Sequence, residues 1–206
     1  MPKTRKDWAL YESNPSFVLG FHGCDKEVGE KILSRNGTHL NQSENDYDWL
    51  GHGIYFWEQS PERAVEFAEE CKIGGKNSKG KIREPFVIGA IIDLKHCFNL
   101  MDRFALLQLE AAFNTLKGTF LKAGLDLPSN GETLRKRNLD CAVFQTLHAL
   151  REEKEVGAVP FDSIRGLFFE GDDLYEGAGF KKKNHIQICV RNTDCIKGYF
   201  RPIRVK

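Results

Sequence analysis

Residues 49–71, WLGHGIYFWEQSPERAVEFAEEC, join a strand directly to a helix and leave this part of the chain few alternatives. Gly51 and Gly53 precede a β-branched and aromatic run, the composition of a strand entered through a tight backbone turn. Ser60 then stands where a helix N-cap belongs, and Pro61 occupies the first helical position, where its missing N–H costs nothing. Ala64, Phe67, Ala68 and Cys71 recur at i, i+3, i+4, i+7, which predicts an amphipathic helix packed on its Ala/Phe face.

Similar signals organise the rest. In FVLGFH (17–22), Phe17, Leu19 and Phe21 share one face of a strand and His22 the other. Asp25 is a suitable N-cap for a helix carrying Val28, Ile32 and Leu33 and stopped at Asn36-Gly37. NQSENDYD reads as a surface loop, and KIGGKNSKGKIRE as a basic loop or hairpin. FVIGAIID, apolar on both faces, reads as a buried central strand. Helical spacing returns over 102–122 and 138–153, and SIRGLFFEG, NHIQICVRN and CIKGYFRPI close the chain as strands. Strands, a helical middle and strands again predict an α+β domain with a mixed sheet. At 206 residues, that is a single domain, 1–206, with a helical insertion at about 102–153.

Composition narrows the chemistry. Hydrophobic residues make up 41% of the chain, enough for a sizeable core. The longest apolar run, Phe86 to Ile92, is far short of the roughly 20 residues of a membrane span. The start of the chain has no signal-peptide core, so a cytoplasmic location is expected and no membrane partner. Six dispersed cysteines without C-x-x-C pairs predict reduced core thiols, and no metal site is implied. GKNSKGK (75–81) approaches a phosphate-binding loop, but Ile82 stands where Ser or Thr would bind magnesium. Gly177-Ala-Gly179 lacks the third glycine of a dinucleotide fingerprint, and no G-x-S-x-G elbow is present.

What remains is a three-part pattern: a strand ending in His22-Gly23, a glycine-bearing strand with Tyr55 running into the Ser60 helix, and closing strands around 184–201. These residues resemble the ADP-ribosyltransferases of the diphtheria-toxin and poly(ADP-ribose) polymerase type, whose signature is a histidine, a tyrosine and usually a glutamate on three strands. The likeness is to small stand-alone bacterial members and implies their split mixed-sheet core. It also implies NAD as substrate: His22 would bond the adenosine ribose, the Gly23 backbone would hold the nicotinamide amide, and Tyr55 would stack on the nicotinamide ring. Gly53 would allow close approach of the ligand, Phe67 would be a second wall, and Ser60 or Arg63 would lie near the amide or phosphates.

The family's glutamate falls on Gln187, with His185 the competing register. Glutamine keeps a hydrogen bond but neither carries the charge nor takes a proton. Single ADP-ribose transfer to a nucleic acid or protein acceptor is therefore expected rather than chain elongation, with a toxin role and a neutralising antitoxin as the implied setting. A degenerate NAD- or ADP-ribose-binding module and a NAD glycohydrolase are the alternatives. Glu170, Asp172, Asp173 and Glu176, just before the Gln187 strand, are candidates for a replacement base. A net charge of +1 conceals basic clusters at 72–83, 135–137 and 181–206, which would form a phosphate-neutralising stripe if they met on one face.

Overall fold

A computed structural model describes residues 17–35, 37–73, 82–132, 135–153 and 157–203. Its elements run β1 (Phe17–Asp25), α1 (Lys26–Ser34), β2 (Ile54–Glu58), α2 (Pro61–Lys72), β3 (Pro85–Asp93), β4 (Cys97–Asn99), α3 (Arg103–Ala123), α4 (Asn138–Glu152), β5 (Ser163–Phe168), β6 (His185–Val190) and β7 (Ile196–Phe200). The strands form one seven-stranded sheet in the order β4-β5-β6-β2-β1-β3-β7, mixed because β4 and β5 are parallel while the other neighbours are antiparallel. The α+β expectation holds. The loop expected over 72–84 lies largely outside the described residues.

The centre of the sheet is split. β1 pairs with β3 over its whole length, from Phe17↔Asp93 to Asp25↔Pro85. With β2 it pairs only at Gly20↔Glu58 and Phe21↔Trp57, after which the two strands diverge. One half is therefore β1, β3 and β7, and the other is β2, β6, β5 and β4. One face of the sheet is packed continuously across both halves, and the other face is covered half by half. Ile54, Phe56, Ile88, Ile92, Ile188 and Val190 make a common core on one face with Ile32 of α1. On the other face α2 covers Phe21 and Val87, while α3 and α4 cover Phe98, Ile164, Phe168 and Cys189.

Local chemistry accounts for the helices. The Asp25 carboxylate accepts from the Glu27 N–H at 3.0 Å and caps α1, and that of Asp102 does the same for α3 through Phe104 at 2.9 Å. Gly124 ends α3 in a left-handed conformation. Ser60 holds the N-cap position of α2 without a side-chain bond. The expected helical insertion proves to be a crossover: α3 and α4 carry the chain between parallel strands β4 and β5, which a short turn cannot join.

Three expectations need correction. Only Phe21 of the Phe17, Leu19, Phe21 face is buried; Phe17 and Leu19 are 65% and 43% exposed, since α2 covers only the far end of β1. Val28 of α1 is exposed, and Gly29 and Ile32 face the sheet instead. β3 is the penultimate strand rather than a central one; its two apolar faces reflect α1 on one side and α2 on the other. The six cysteines are buried and unpaired with one another.

Two features generate predictions. A Cβ on Gly23 would sit 2.2 Å from the Ala64 carbonyl oxygen of α2, a backbone atom that cannot rotate away. Gly23→Ala is expected to cost about 1–3 kcal/mol in urea denaturation, and an unchanged midpoint would refute the close strand–helix contact. His148 of α4 is buried with neither ring nitrogen partnered by a described residue, and burial pushes its pKa down to about 3 from 6.5. Below the unfolded value the unfolded state binds the proton first, so stability is lost as pH falls from about 6.5 toward 3. At about pH 5 the loss from His148 is roughly 2 kcal/mol, and His148→Leu should flatten that part of a stability–pH curve.

Candidate active site

Where β1 leaves β2, the side chain of His22 bridges the gap. Its Nδ1 lies 2.7 Å from the Tyr55 carbonyl oxygen. A carbonyl oxygen only accepts, so Nδ1 carries the hydrogen. Burial lowers the imidazole pKa and keeps the ring neutral near pH 7, which leaves Nε2 as a lone-pair acceptor. His22 thus presents a site for a hydroxyl or N–H donor.

Tyr55 and Trp57 alternate onto one face of β2, and Gln187 on β6 lies directly opposite Trp57. The Tyr55 phenol donates to the Gly51 carbonyl at 2.6 Å and accepts from the Leu50 N–H at 2.8 Å, which fixes the ring against the turn before β2. Burial holds this phenol well above its ordinary pKa, so it works as a neutral pin with a fixed ring face.

These residues line a cavity of about 310 Å³. It brings together His22, Tyr55, Gln187 and Phe67 of the sequence pattern, with Arg63 and Glu170 on its wall. The size suits a ring and an attached sugar, with the remainder of a larger ligand running out through the mouth. Gln187 lines the cavity, whereas His185 does not; the His185 ring is buried among Trp49, Trp57 and Phe168, with Nδ1 2.7 Å from the Lys183 carbonyl oxygen. The two share a face of β6, so the register left open in the sequence concerns depth along one strand.

Gly23, Gly53 and Ser60 do not line the cavity. Gly23 backs onto α2. Gly53 allows β2 to approach β6, where a Cβ would lie 2.5 Å from Cys189 Sγ, and its backbone exchanges two hydrogen bonds with Ser43. Ser60 marks the start of α2.

One wall was missed in the sequence. The segment read as a surface loop contributes Ser43, Asn45, Tyr47 and Asp48 to the cavity, and Trp49, read as the start of the strand segment after it, joins them. Asp48, buried, accepts from the Asn45 N–H at 3.0 Å and from its side-chain amide at 3.2 Å, folding the loop inward. An Asn-x-x-Asp turn directly before a tryptophan was the available signal.

The wall also carries polar atoms that no described residue satisfies: Trp57 Nε1 and Arg63 Nε as donors, Asn45 Oδ1 and Gln187 Oε1 as acceptors. Leaving such groups unpaired costs about 1–3 kcal/mol each. Arg63, nearly buried, is held by Glu66 and, at 2.8 Å, by Glu170. Of the acidic residues before β6, Glu170 is the one that reaches the cavity; Asp172 and Asp173 pair with Lys182 and Lys181. Among the described residues no group of three or more His, Cys, Asp or Glu side chains is placed to hold a metal, and no helix is long and apolar enough to cross a membrane.

The phenol pin is directly testable. Tyr55→Phe keeps the ring but leaves the Leu50 N–H and Gly51 carbonyl without this partner. It should destabilise the protein by about 1–3 kcal/mol and speed hydrogen exchange at the Leu50 amide. Unchanged exchange at Leu50 would show that the turn is held by other means.

A comparison with curated proteins finds an uncharacterized protein of Methanocaldococcus jannaschii, 26% identical over 196 residues and covering 86% of this chain and 83% of its own length. No protein-family model and no solved structure matches the chain.

Proposed function

We propose that this chain binds NAD in the cavity at the sheet's split and transfers a single ADP-ribose to a macromolecular acceptor, releasing nicotinamide. The observation that carries the reading is the convergence of His22, Tyr55 and Gln187, from three strands, on one cavity. The neutral His22 Nε2 suits a ribose hydroxyl, the pinned Tyr55 ring suits a nicotinamide face, and Gln187 suits a second ribose hydroxyl. The chemistry asks the protein chiefly to position NAD while its glycosidic bond loosens toward an oxocarbenium ion.

The reading extends to a cytoplasmic toxin whose activity a neutralising partner restrains. For the acceptor, protein fits better than nucleic acid: Lys181, Lys182 and Lys183 face Asp173, Asp172 and Glu70, which removes much of the charge a polyanion would meet.

Labelled NAD incubated with the protein and cell lysate tests this. Label should enter macromolecules as nicotinamide appears. Tyr55→Ala should cut both roughly 10- to 100-fold through the lost stacking face, whereas Tyr55→Phe should retain most of the rate once assayed below its melting range. Nicotinamide release without labelling would indicate a glycohydrolase, and NAD binding without release a binding module. Absence of both binding and release would overturn the NAD reading.

A further inference from the structure

Resting on that reading, we infer that Glu170 is the proton acceptor of the transfer step, doing what Gln187 cannot. Glu170 lies just beyond β5, and its carboxylate reaches the cavity wall within 3.8 Å of His185, two residues before Gln187 on the same face of β6. Arg63 and His185 both meet it through Oε2. Among the described residues no hydrogen bond reaches Oε1, so one oxygen is anchored and the other is left for the proton. The Glu170 side chain is 26% exposed and Arg63 only 9%, so on this wall the carboxylate is the partner that solvent and an acceptor reach more readily.

Anchoring matters as much as position. Arg63 is held from its other side by Glu66 and fixes the carboxylate on a loop that would otherwise leave it free to rotate. The reaction asks more of the position of the base than of its strength. The incoming hydroxyl becomes strongly acidic only as its oxygen bonds to an oxocarbenium-like carbon, and a weak, correctly placed base is enough.

The step balances. The C1′–N bond of NAD breaks with its electron pair going to the ring nitrogen, and neutral nicotinamide departs. A lone pair of the acceptor oxygen forms the new C1′–O bond. Its proton passes to Glu170 Oε1 and then to solvent. Gln187 meanwhile holds a ribose hydroxyl, so the two tasks that one glutamate performs elsewhere are divided between two side chains.

The test uses the full chain, NAD and sodium azide. Binding is read from quenching of tryptophan fluorescence, since Trp49 and Trp57 line the cavity. Glu170→Gln should leave NAD affinity within about twofold and lower nicotinamide release in buffer, where water is the acceptor, by roughly 100-fold or more. Azide, an anion with no proton to lose, should restore release in that variant and yield ADP-ribosyl azide, while accelerating the native protein much less. Adding Gln187→Glu to Glu170→Gln should recover part of the rate without azide. Should Glu170→Gln fail to fold, Glu170→Asp keeps the charge opposite Arg63, shortens its reach and should show the same azide response. Full activity in Glu170→Gln, or a loss that azide does not repair, would overturn the assignment and leave Glu170 as a counter-ion to Arg63. A native protein that neither binds NAD nor releases nicotinamide would instead fail the reading beneath it.

Discussion

A single hydrogen bond, from His22 Nδ1 to the Tyr55 carbonyl oxygen, spans a sheet whose own ladder has stopped. After Phe21 the β1 strand stays with β3 and leaves β2, so the seven strands behave as two smaller sheets hinged on two residue pairs. Such a divergence exposes a polar seam in the middle of a protein, where unpaired backbone groups are costly. His22 meets part of that demand, and the loop folded inward by Asp48 and Asn45 walls another part. The close approaches that hold the halves near each other require glycine. A Cβ at Gly20 would lie 2.5 Å from Ile92 and 2.8 Å from Phe56, and one at Gly23 would collide with α2. The cavity follows from this geometry, as the space left where one half of the sheet turns from the other.

Charge plays a different part from the one its order along the chain suggests. Acidic and basic residues are segregated in the sequence, yet folding sets them against each other: Lys183 with Glu70, Arg191 with Glu152, Lys197 with Asp93, Arg201 with Glu30. Exposed pairs of this kind contribute little to stability, typically about 0–1 kcal/mol, and their main effect is to level the surface potential. Two better-buried pairs are structural. Glu58 takes both arms of Arg165, tying β2 to β5 across β6, and Arg63 is clasped between Glu66 and Glu170 beside the cavity.

Elements defined by local chemistry were legible before folding. Pro61 and the Ala64/Ala68/Cys71 stripe placed α2, the Asp25 cap placed α1, and the helical spacing of 102–122 and 138–153 placed α3 and α4 to within a residue or so. What depends on partners distant in sequence was not. An apolar run on both faces does not say whether β3 lies in the middle of a sheet or one strand from its edge, because helices on both sides give the same composition. Nor does alternation in β1 say that only Phe21 finds a layer above it. In the site, His22, Tyr55, Phe67 and Gln187 could be named because they sit in strands and a helix with clear periods. Trp49 and Asn45 could not, because each sits in an irregular segment whose course is set by tertiary contacts, and Glu170, in another such segment, could be named only as one of four acidic candidates.

Gln187 shows what that division means for chemistry. A residue on a strand is held by the ladder on both sides, and Gln187, which lines the cavity, is fixed between Trp57 and Gly166. That rigidity suits a hydrogen bond to a ligand that must be held still. A group that receives a proton from an arriving acceptor needs access from the mouth, which the strand centre does not offer but the segment beyond β5 does. Placing the carboxylate there demands an anchor to replace the missing ladder, and a nearly buried arginine opposite Glu170 supplies one. The buried guanidinium in turn requires a counter-charge, since an unpaired one would be strongly destabilising. Glu66 and Glu170 share that task, and the arginine on α2 in return fixes the Glu170 carboxylate beside the cavity.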